Sequence, residues 1–149
     1  MCMKKMMLAF TVLAVCISCK KEETTPPGDT GCKISNSTLV GTYVKTAVKY
    51  KASSSAAEQD LFSGLQPCEQ DDTYELKADY SVVVGDGAEV CPGPPPPGGV
   101  TAWTISADGK VFTLDEIYDV TSFDCTTLVV TQTNYFVTGD IRTVTYKKK

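Results

Sequence analysis

Apolar and polar residues alternate along most of the chain from Leu39 onward. In segment 72–77, Tyr74 and Leu76 fall on one side of an extended chain, and polar residues fill the other side. A period of two is typical of a β-strand with one buried face. Similar short segments predict further strands at 39–50, 80–84, 100–105, 111–114, 116–120, 126–133 and 141–146.

The first predicted strand, 39–50, has valines and lysines at alternating positions. Period two places Val44 and Val48 on one face of segment 39–50 and Lys45 on the other. The following stretch, 52–62, is rich in serine and alanine and predicts a loop with one helical turn.

Turn signals separate the strands at short intervals. Asp108-Gly109 has the signature of a tight hairpin, and Ala78-Asp79 and 138–140 are further predicted turns. The proline-rich run 91–99 predicts a stiff connector, because proline cannot donate to a sheet ladder. About eight short antiparallel strands without a long helix predict an all-β, up-and-down meander that closes into a small barrel. Closure would remove the exposed edges of such a sheet.

The beginning of the chain has a different pattern. Lys4 and Lys5 precede an apolar run, 6–17, and Cys19 follows it directly after a serine. This is the layout of a bacterial lipoprotein signal peptide, and the apolar run is too short to span a bilayer as a helix. We therefore predict a signal peptide at 1–18 and a lipid on the thiol of Cys19, which would attach the protein to a membrane.

Between the lipid site and the first strand lies a charged, proline-containing stretch, 19–31, which predicts a flexible tether. The barrel domain is then expected at 32–149. The run Lys21-Glu22-Glu23 has two interpretations. It is a solubilising spacer, or it resembles the signal that some Gram-negative bacteria use to send lipoproteins to the cell surface. The expected location is therefore the outer membrane, with the cell surface as its exposed side.

Charge and composition exclude several functions. The net charge is −4, and loss of the two signal-peptide lysines would make it more negative by two. An acidic chain without a basic patch argues against binding nucleic acid, and the basic cluster 147–149 is interpreted as a solvated tail. The sequence contains no histidine. Histidine-based catalysis and ordinary zinc sites are thus excluded, and we expect neither an enzyme nor a cofactor.

The carboxylates do not form a recognisable catalytic or metal motif. Glu69, Asp71 and Asp72 are the densest cluster, but they lack the spacing of a calcium loop and are interpreted as a solvated strand entry. Asp115 and Glu116 are adjacent, so on a strand they would point to opposite faces. We predict no metal site.

Four cysteines remain once the signal peptide and the lipid site are set aside: Cys32, Cys68, Cys91 and Cys125. An even number in an exported chain indicates two disulfides, for which three connectivities exist.

Four segments carry a resemblance to a known family: 39–43 (LVGTY), 68–76 (CEQDDTYEL), 103–110 (WTISADGK) and 126–130 (TTLVV). In order and spacing they resemble the small lipocalin-like domains of bacterial lipoproteins. Two residues depart from the family pattern. Tyr43 stands where tryptophan is usual, and Tyr80 stands where a glycine normally ends the Ala-Asp turn.

The resemblance bears on the cysteines and on function. Cys68 and Cys91 lie at nearly matching distances from the turn of the hairpin between them, and the resemblance also favours this pair. Cys32 would then pair with Cys125 by elimination. By resemblance, the protein is expected to be a binding module for a small hydrophobic ligand.

Aromatic side chains supply the candidate ligand contacts, namely Tyr43, Tyr74 and Trp103, although all three are expected first as core and Trp103 as a plug. The alternative function is a filled barrel that contacts another envelope protein. An apolar cavity of about 300 Å³ or more would favour ligand binding over this alternative.

Overall fold

The computed structural model describes residues 32–93 and 100–149. The predicted signal peptide 1–18, the lipid site Cys19, the tether 19–31 and most of the proline-rich connector lie outside the described residues, so these remain predictions. Within the described part, no helix is long and apolar enough to cross a membrane.

Antiparallel strands dominate the described residues and belong to one sheet. They are β1 (Gly41–Lys51), β2 (Gln59–Asp60), β3 (Thr73–Leu76), β4 (Val82–Gly85), β5 (Thr104–Ile105), β6 (Val111–Thr113), β7 (Ile117–Phe123), β8 (Thr127–Thr133) and β9 (Ile141–Lys148). The helical elements are a single turn each: α1 (Asn36–Leu39), a 3-10 turn (Phe62–Gly64) and α2 (Pro67–Gln70). The predicted all-β meander is confirmed.

The strand order is β4-β3-β1-β9-β8-β7-β6-β5, with the short β2 added to β1. The last strand, β9, therefore pairs with the first, β1, along nearly their whole length. The two ends of this curled sheet meet in a bridge between Ser81 and Ala102. There the amide of Val82 donates to the carbonyl of Thr101 at 3.0 Å, and the amide of Trp103 donates to the carbonyl of Tyr80 at 2.9 Å.

The connections lie alternately at two ends of the barrel, which we call the closed end and the open end. The closed end carries segment 32–40 and the turns 77–81, 106–110 and 124–126. The open end carries the β1–β3 connection (52–72), the β6–β7 turn (114–116) and the β8–β9 loop (134–140).

Segment 32–40 covers the closed end. The side chain of Leu39 in α1 is fully buried, and Ile34 packs on the β5–β6 turn. Gly109 in that turn has φ +73°, and a Cβ atom there would lie 2.2 Å from Cγ2 of Ile34. Glycine is therefore required both by the backbone conformation and by the close contact.

The core fills the closed half of the barrel. Trp103 is fully buried beside Phe112 and Tyr80, and its Nε1 donates to the carbonyl of Lys77 at 3.0 Å. The buried apolar cluster as a whole consists of Leu39, Tyr43, Leu76, Val82, Trp103, Phe112, Leu114, Tyr118, Phe123, Leu128, Val130, Val144 and Tyr146. Removal of this surface from water is the main driving force for the fold.

The first strand departs from the simple alternation that the sequence predicts. The register of β1 against β9 shifts between Lys45 and Ala47, which indicates a bulge. One extra residue reverses the inward and outward order of the side chains beyond it. Lys45 and Val48 consequently face the same interior cavity, so the prediction that they occupy opposite faces is wrong.

Both predicted disulfides are present. Cys68 pairs with Cys91 at a Cα–Cα distance of 5.1 Å, and Cys32 pairs with Cys125 at 5.6 Å, distances that are usual for disulfides. The first pair attaches α2 to the segment after β4. The second attaches segment 32–40 to the β7–β8 turn at the closed end, so each bridge secures a part of the chain that the sheet alone does not hold.

Candidate functional site

An interior cavity of about 220 Å³ lies between the filled closed half of the barrel and the open end. Strands β1, β7 and β9 form its walls, and side chains of the open-end connections cover it. Its lining residues are Lys45, Val48, Leu61, Leu65, Asp115, Tyr118, Tyr135, Arg142, Val144 and Tyr146. The lining combines aliphatic and tyrosine side chains with three charged groups.

Arg142 is the central polar residue of this cavity. It lies on β9, on the same inward face as Val144, and only 8% of its surface is exposed. Its Nη2 donates to the hydroxyl of Tyr118 at 2.6 Å and lies 3.5 Å from Oε2 of Glu116. Its Cζ lies 3.8 Å from the ring centroid of Tyr135, a cation–π contact. These contacts offset the cost of burying the guanidinium.

One donor of this guanidinium is unsatisfied. The Nε of Arg142 is buried and has no hydrogen-bond partner among the residues that the structure describes. A buried polar group without a partner costs about 1–3 kcal/mol, and more when it is charged. An acceptor in the cavity could recover this energy.

Tyr118 links Arg142 to the β6–β7 turn. Its hydroxyl donates to Oδ1 of Asp115 at 2.8 Å while it accepts from Arg142. Burial, with a smaller contribution from the charge of Asp115, holds the pKa of Tyr118 far above its usual value. The hydroxyl therefore stays protonated at neutral pH and acts as a donor to Asp115, which also accepts from the amide of Glu116 at 2.9 Å.

Lys45 is the second cation of the cavity. Its Nζ lies 5.5 Å from the ring centroid of Tyr74. In 32–93 and 100–149, no carboxylate lies within 4.0 Å of this ammonium group. The lining residues thus include two cations and one carboxylate, Asp115, whose Oδ1 already accepts two hydrogen bonds.

None of the three aromatic residues expected from the sequence lines this cavity. Tyr43 and Trp103 are buried in the core, with 1% and 0% of their surface exposed. Tyr74 packs edge-on against Tyr146, with ring centroids 5.7 Å apart. Tyr74 thus contacts two residues that line the cavity, Lys45 and Tyr146.

The acidic cluster at the start of β3 serves the local structure. Oε2 of Glu69 accepts from the amide of Gln66 at 2.8 Å and caps α2. Oδ2 of Asp71 accepts from the amide of Glu89 at 2.9 Å and joins the β4–β5 connection to α2. Burial raises the pKa of Asp72, with added repulsion from neighbouring carboxylates. No group of three or more metal-ligating side chains occurs in the described ranges.

Apolar side chains are exposed around the open end. Phe136 and Val137 in the β8–β9 loop are 64% and 56% exposed, and Ile117 at the start of β7 is 67% exposed. Exposed apolar groups at one place on a surface are typical of contact sites.

The sequence analysis missed both cations of the cavity. Arg142 has a readable signal, because period two places it on the same face as Val144 and Tyr146. Period two from the buried Tyr43 likewise places Lys45 inward, whereas the bulge that brings Val48 to the same face has no sequence signature here. Comparison with protein-family models, with curated proteins and with solved structures finds no match to this chain.

Proposed function

We propose that the protein is a lipid-anchored β-barrel module of the cell envelope that binds a small, largely apolar molecule in the cavity at its open end. The cavity itself is the observation that carries this proposal. Its volume of about 220 Å³ equals that of about seven liquid water molecules. This is below the volume of about 300 Å³ that would by itself favour ligand binding over a filled barrel, so the proposed ligand is smaller than a drug-sized molecule.

The binding proposal is tested by native mass spectrometry of the protein purified from its own cells. The wild-type protein is expected to carry a small molecule that is released on unfolding. Leu65→Trp should abolish this mass difference, because the larger side chain would fill the cavity from above. Val90→Trp, at a site that is 73% exposed, is the matched control and should retain the molecule. A wild-type spectrum without any bound molecule would contradict the proposal.

The anchor is part of the proposal and rests on the sequence around Cys19. Cys19→Ala is expected to move the protein from the membrane fraction to the soluble fraction, because the acylated thiol would be lost. Cys16→Ala, within the predicted signal peptide, is the matched control and should leave the protein in the membrane fraction. A Cys19→Ala protein that stays with the membrane would overturn the lipid anchor.

The run Lys21-Glu22-Glu23 would determine whether the protein faces the cell surface or the periplasm. If this run acts as a surface signal, protease added to whole cells should digest the barrel domain. A domain that is digested only after lysis would place the protein on the periplasmic side of the membrane.

A second candidate function is contact with another envelope protein. The exposed Ile117, Phe136 and Val137 at the open end favour it. A photo-crosslinker at Phe136 in intact cells should then capture one partner, whereas the same group at Lys110 at the closed end should not. Capture at both positions, or at neither, would count against this function.

A further inference from the structure

We infer that the molecule in the cavity is a small carboxylic acid, with its carboxylate on Lys45 and Arg142 and its apolar body against the aliphatic and tyrosine lining. This inference rests on the proposed function, because it assigns a chemical class to the ligand of that cavity.

The charged residues of the cavity favour an anionic ligand. Two cations, Lys45 and Arg142, and one carboxylate, Asp115, line the space. Cations therefore outnumber carboxylates among the lining residues of a chain whose net charge is −4, while Glu116 lies 3.5 Å from Arg142 just outside the lining. Oδ1 of Asp115 is occupied by the hydroxyl of Tyr118 and by the amide of Glu116. Protein surrounds much of this cavity, so charges interact more strongly there than at the open surface.

Arg142 has a free hydrogen-bond donor that a carboxylate could use. Glu116 approaches Nη2 at 3.5 Å, but the Glu116 side chain is 39% exposed and solvent screens part of this interaction. Nε of Arg142 is buried and lacks a partner among the described residues. A guanidinium binds a carboxylate through two parallel N–H groups, so an acid group could satisfy the donor that the protein leaves unpaired.

Lys45 is the second cation that an acid group could contact. Its ammonium lies over the ring of Tyr74 and has no carboxylate within 4.0 Å in the described part of the chain, although it attracts the carboxylate of Asp72 at longer range. A cationic ligand would meet two like charges in this cavity. A neutral ligand without an acceptor would leave Nε of Arg142 unpaired and Lys45 without a direct ion pair.

The remaining lining defines the rest of the ligand. Val48, Leu61, Leu65 and Val144 are aliphatic, and tyrosine rings complete the walls. Such a surface binds an apolar or aromatic body. The size of the cavity restricts this body to about one ring, so benzoate is a suitable probe.

Calorimetric titration of the purified protein with three probes of nearly equal shape tests the charge. These are benzoate, benzamide and benzamidine, which are anionic, neutral and cationic at pH 7. Benzoate is expected to bind about tenfold or more tightly than benzamide, because a hydrogen bond to a charged group is worth at least that factor. Benzamidine should bind more weakly than both.

Variants then identify the cations that bind the acid group. Lys45→Met and Arg142→Lys are each expected to weaken benzoate binding about tenfold, with little effect on benzamide. Arg142→Lys keeps a positive charge and avoids an empty space in the wall. Lys110→Met, an exposed site at the closed end, removes the same charge from the protein as Lys45→Met and should leave benzoate binding unchanged.

The possible failures are distinguishable. The inference is overturned if benzoate does not bind, if benzamide or benzamidine binds as well as benzoate, or if neither cavity variant weakens benzoate binding. Native mass spectrometry separates this from failure of the proposed function. A released molecule that is neutral or cationic leaves the binding function standing and removes the carboxylate, whereas the absence of any released molecule contradicts the binding function itself.

Discussion

Two buried tyrosines differ in what their hydroxyl groups can reach. The hydroxyl of Tyr118 joins Asp115 and Arg142. The hydroxyl of Tyr43 is buried and has no partner among the described residues, and burial raises the pKa of this group far above its usual value. The same chemical group is therefore satisfied at one position and unsatisfied at the other.

This difference predicts opposite effects for the same substitution. Tyr43→Phe should leave the free energy of unfolding unchanged or raise it by about 1 kcal/mol, because it removes an unpaired buried hydroxyl. Tyr118→Phe should lower it by about 1–3 kcal/mol, since Asp115 and Arg142 each lose a partner. Urea denaturation at pH 7 measures both. A loss at Tyr43→Phe as large as that at Tyr118→Phe would show that the Tyr43 hydroxyl has a partner.

At the scale of single residues, alternation predicts burial where the strand is regular. It finds the buried Leu76 of β3 and would find Arg142 of β9, because neither position is near a bulge. It fails between Lys45 and Val48, because the bulge between them adds a residue and brings both side chains to the same face. Tyr80 illustrates the opposite case. It occupies the glycine position of the Ala-Asp turn and still adopts φ +66°, so the turn keeps the conformation expected of glycine.

Among the elements, the β7–β8 turn is held by one carboxylate. Oδ1 of Asp124 accepts from the amide of Thr127, and from the amide and hydroxyl of Thr126 at 2.9 and 2.8 Å. These hydrogen bonds, the one from Thr127 foremost, lower the pKa of Asp124 to about 2. A group whose pKa is lower in the folded state stabilises that state above its unfolded pKa, and loses this effect as the pH falls through the folded pKa.

We therefore expect Asp124→Asn to lower the stability of the protein by an amount that depends on pH. The variant should unfold at lower urea concentration than the wild type at pH 7, because the charged acceptor is lost. The difference should shrink as the pH falls from about 4 to about 2, where Asp124 of the wild type becomes protonated. Asp119→Asn, an exposed site on β7, is the control. A difference that stays constant between pH 7 and pH 2 would show that the charge of Asp124 does not stabilise the turn.

The elements that the sequence analysis missed are short and lie at the ends of the barrel. α2 carries a signal, since Pro67 occupies its first turn and Gln66 and Glu69 form a capping box. β2 carries none, because both of its residues are polar and exposed and they pair with β1 only after the loop has folded back. Strands β8 and β9 were predicted well because their burial repeats with period two. Short elements depend on contacts that are distant in the sequence.

For the molecule as a whole, the two disulfides close loops of very different length. Cys32–Cys125 spans 93 residues, and Cys68–Cys91 spans 23. Chain entropy assigns about 4–5 kcal/mol to the longer loop and about 3–4 kcal/mol to the shorter one. The longer loop encloses most of the barrel, whereas the shorter one encloses the β3–β4 hairpin.

Replacement of each cysteine pair by alanine tests whether the disulfide that closes the longer loop contributes more stability. The Cys32→Ala, Cys125→Ala double variant should lower the thermal unfolding midpoint more than the Cys68→Ala, Cys91→Ala variant, because it releases the longer loop. Scanning calorimetry under non-reducing conditions measures both midpoints. Equal losses, or a larger loss for the shorter loop, would show that local strain or residual structure outweighs chain entropy at these bridges.

The pairing of β1 with β9 has a consequence for how the barrel forms. Tyr43, near the start of the domain, pairs with Lys148 at its far end, so neither strand has its full set of partners until the entire chain is present. A chain that is still emerging, or one trimmed by a protease within 141–148, has open edges on both β1 and β8. The unpaired N–H and C=O groups of an open edge can pair with another chain and lead to aggregation. Strand β9 therefore protects the chain from aggregation, because its loss would expose the edges of both the first strand, β1, and the neighbouring strand, β8.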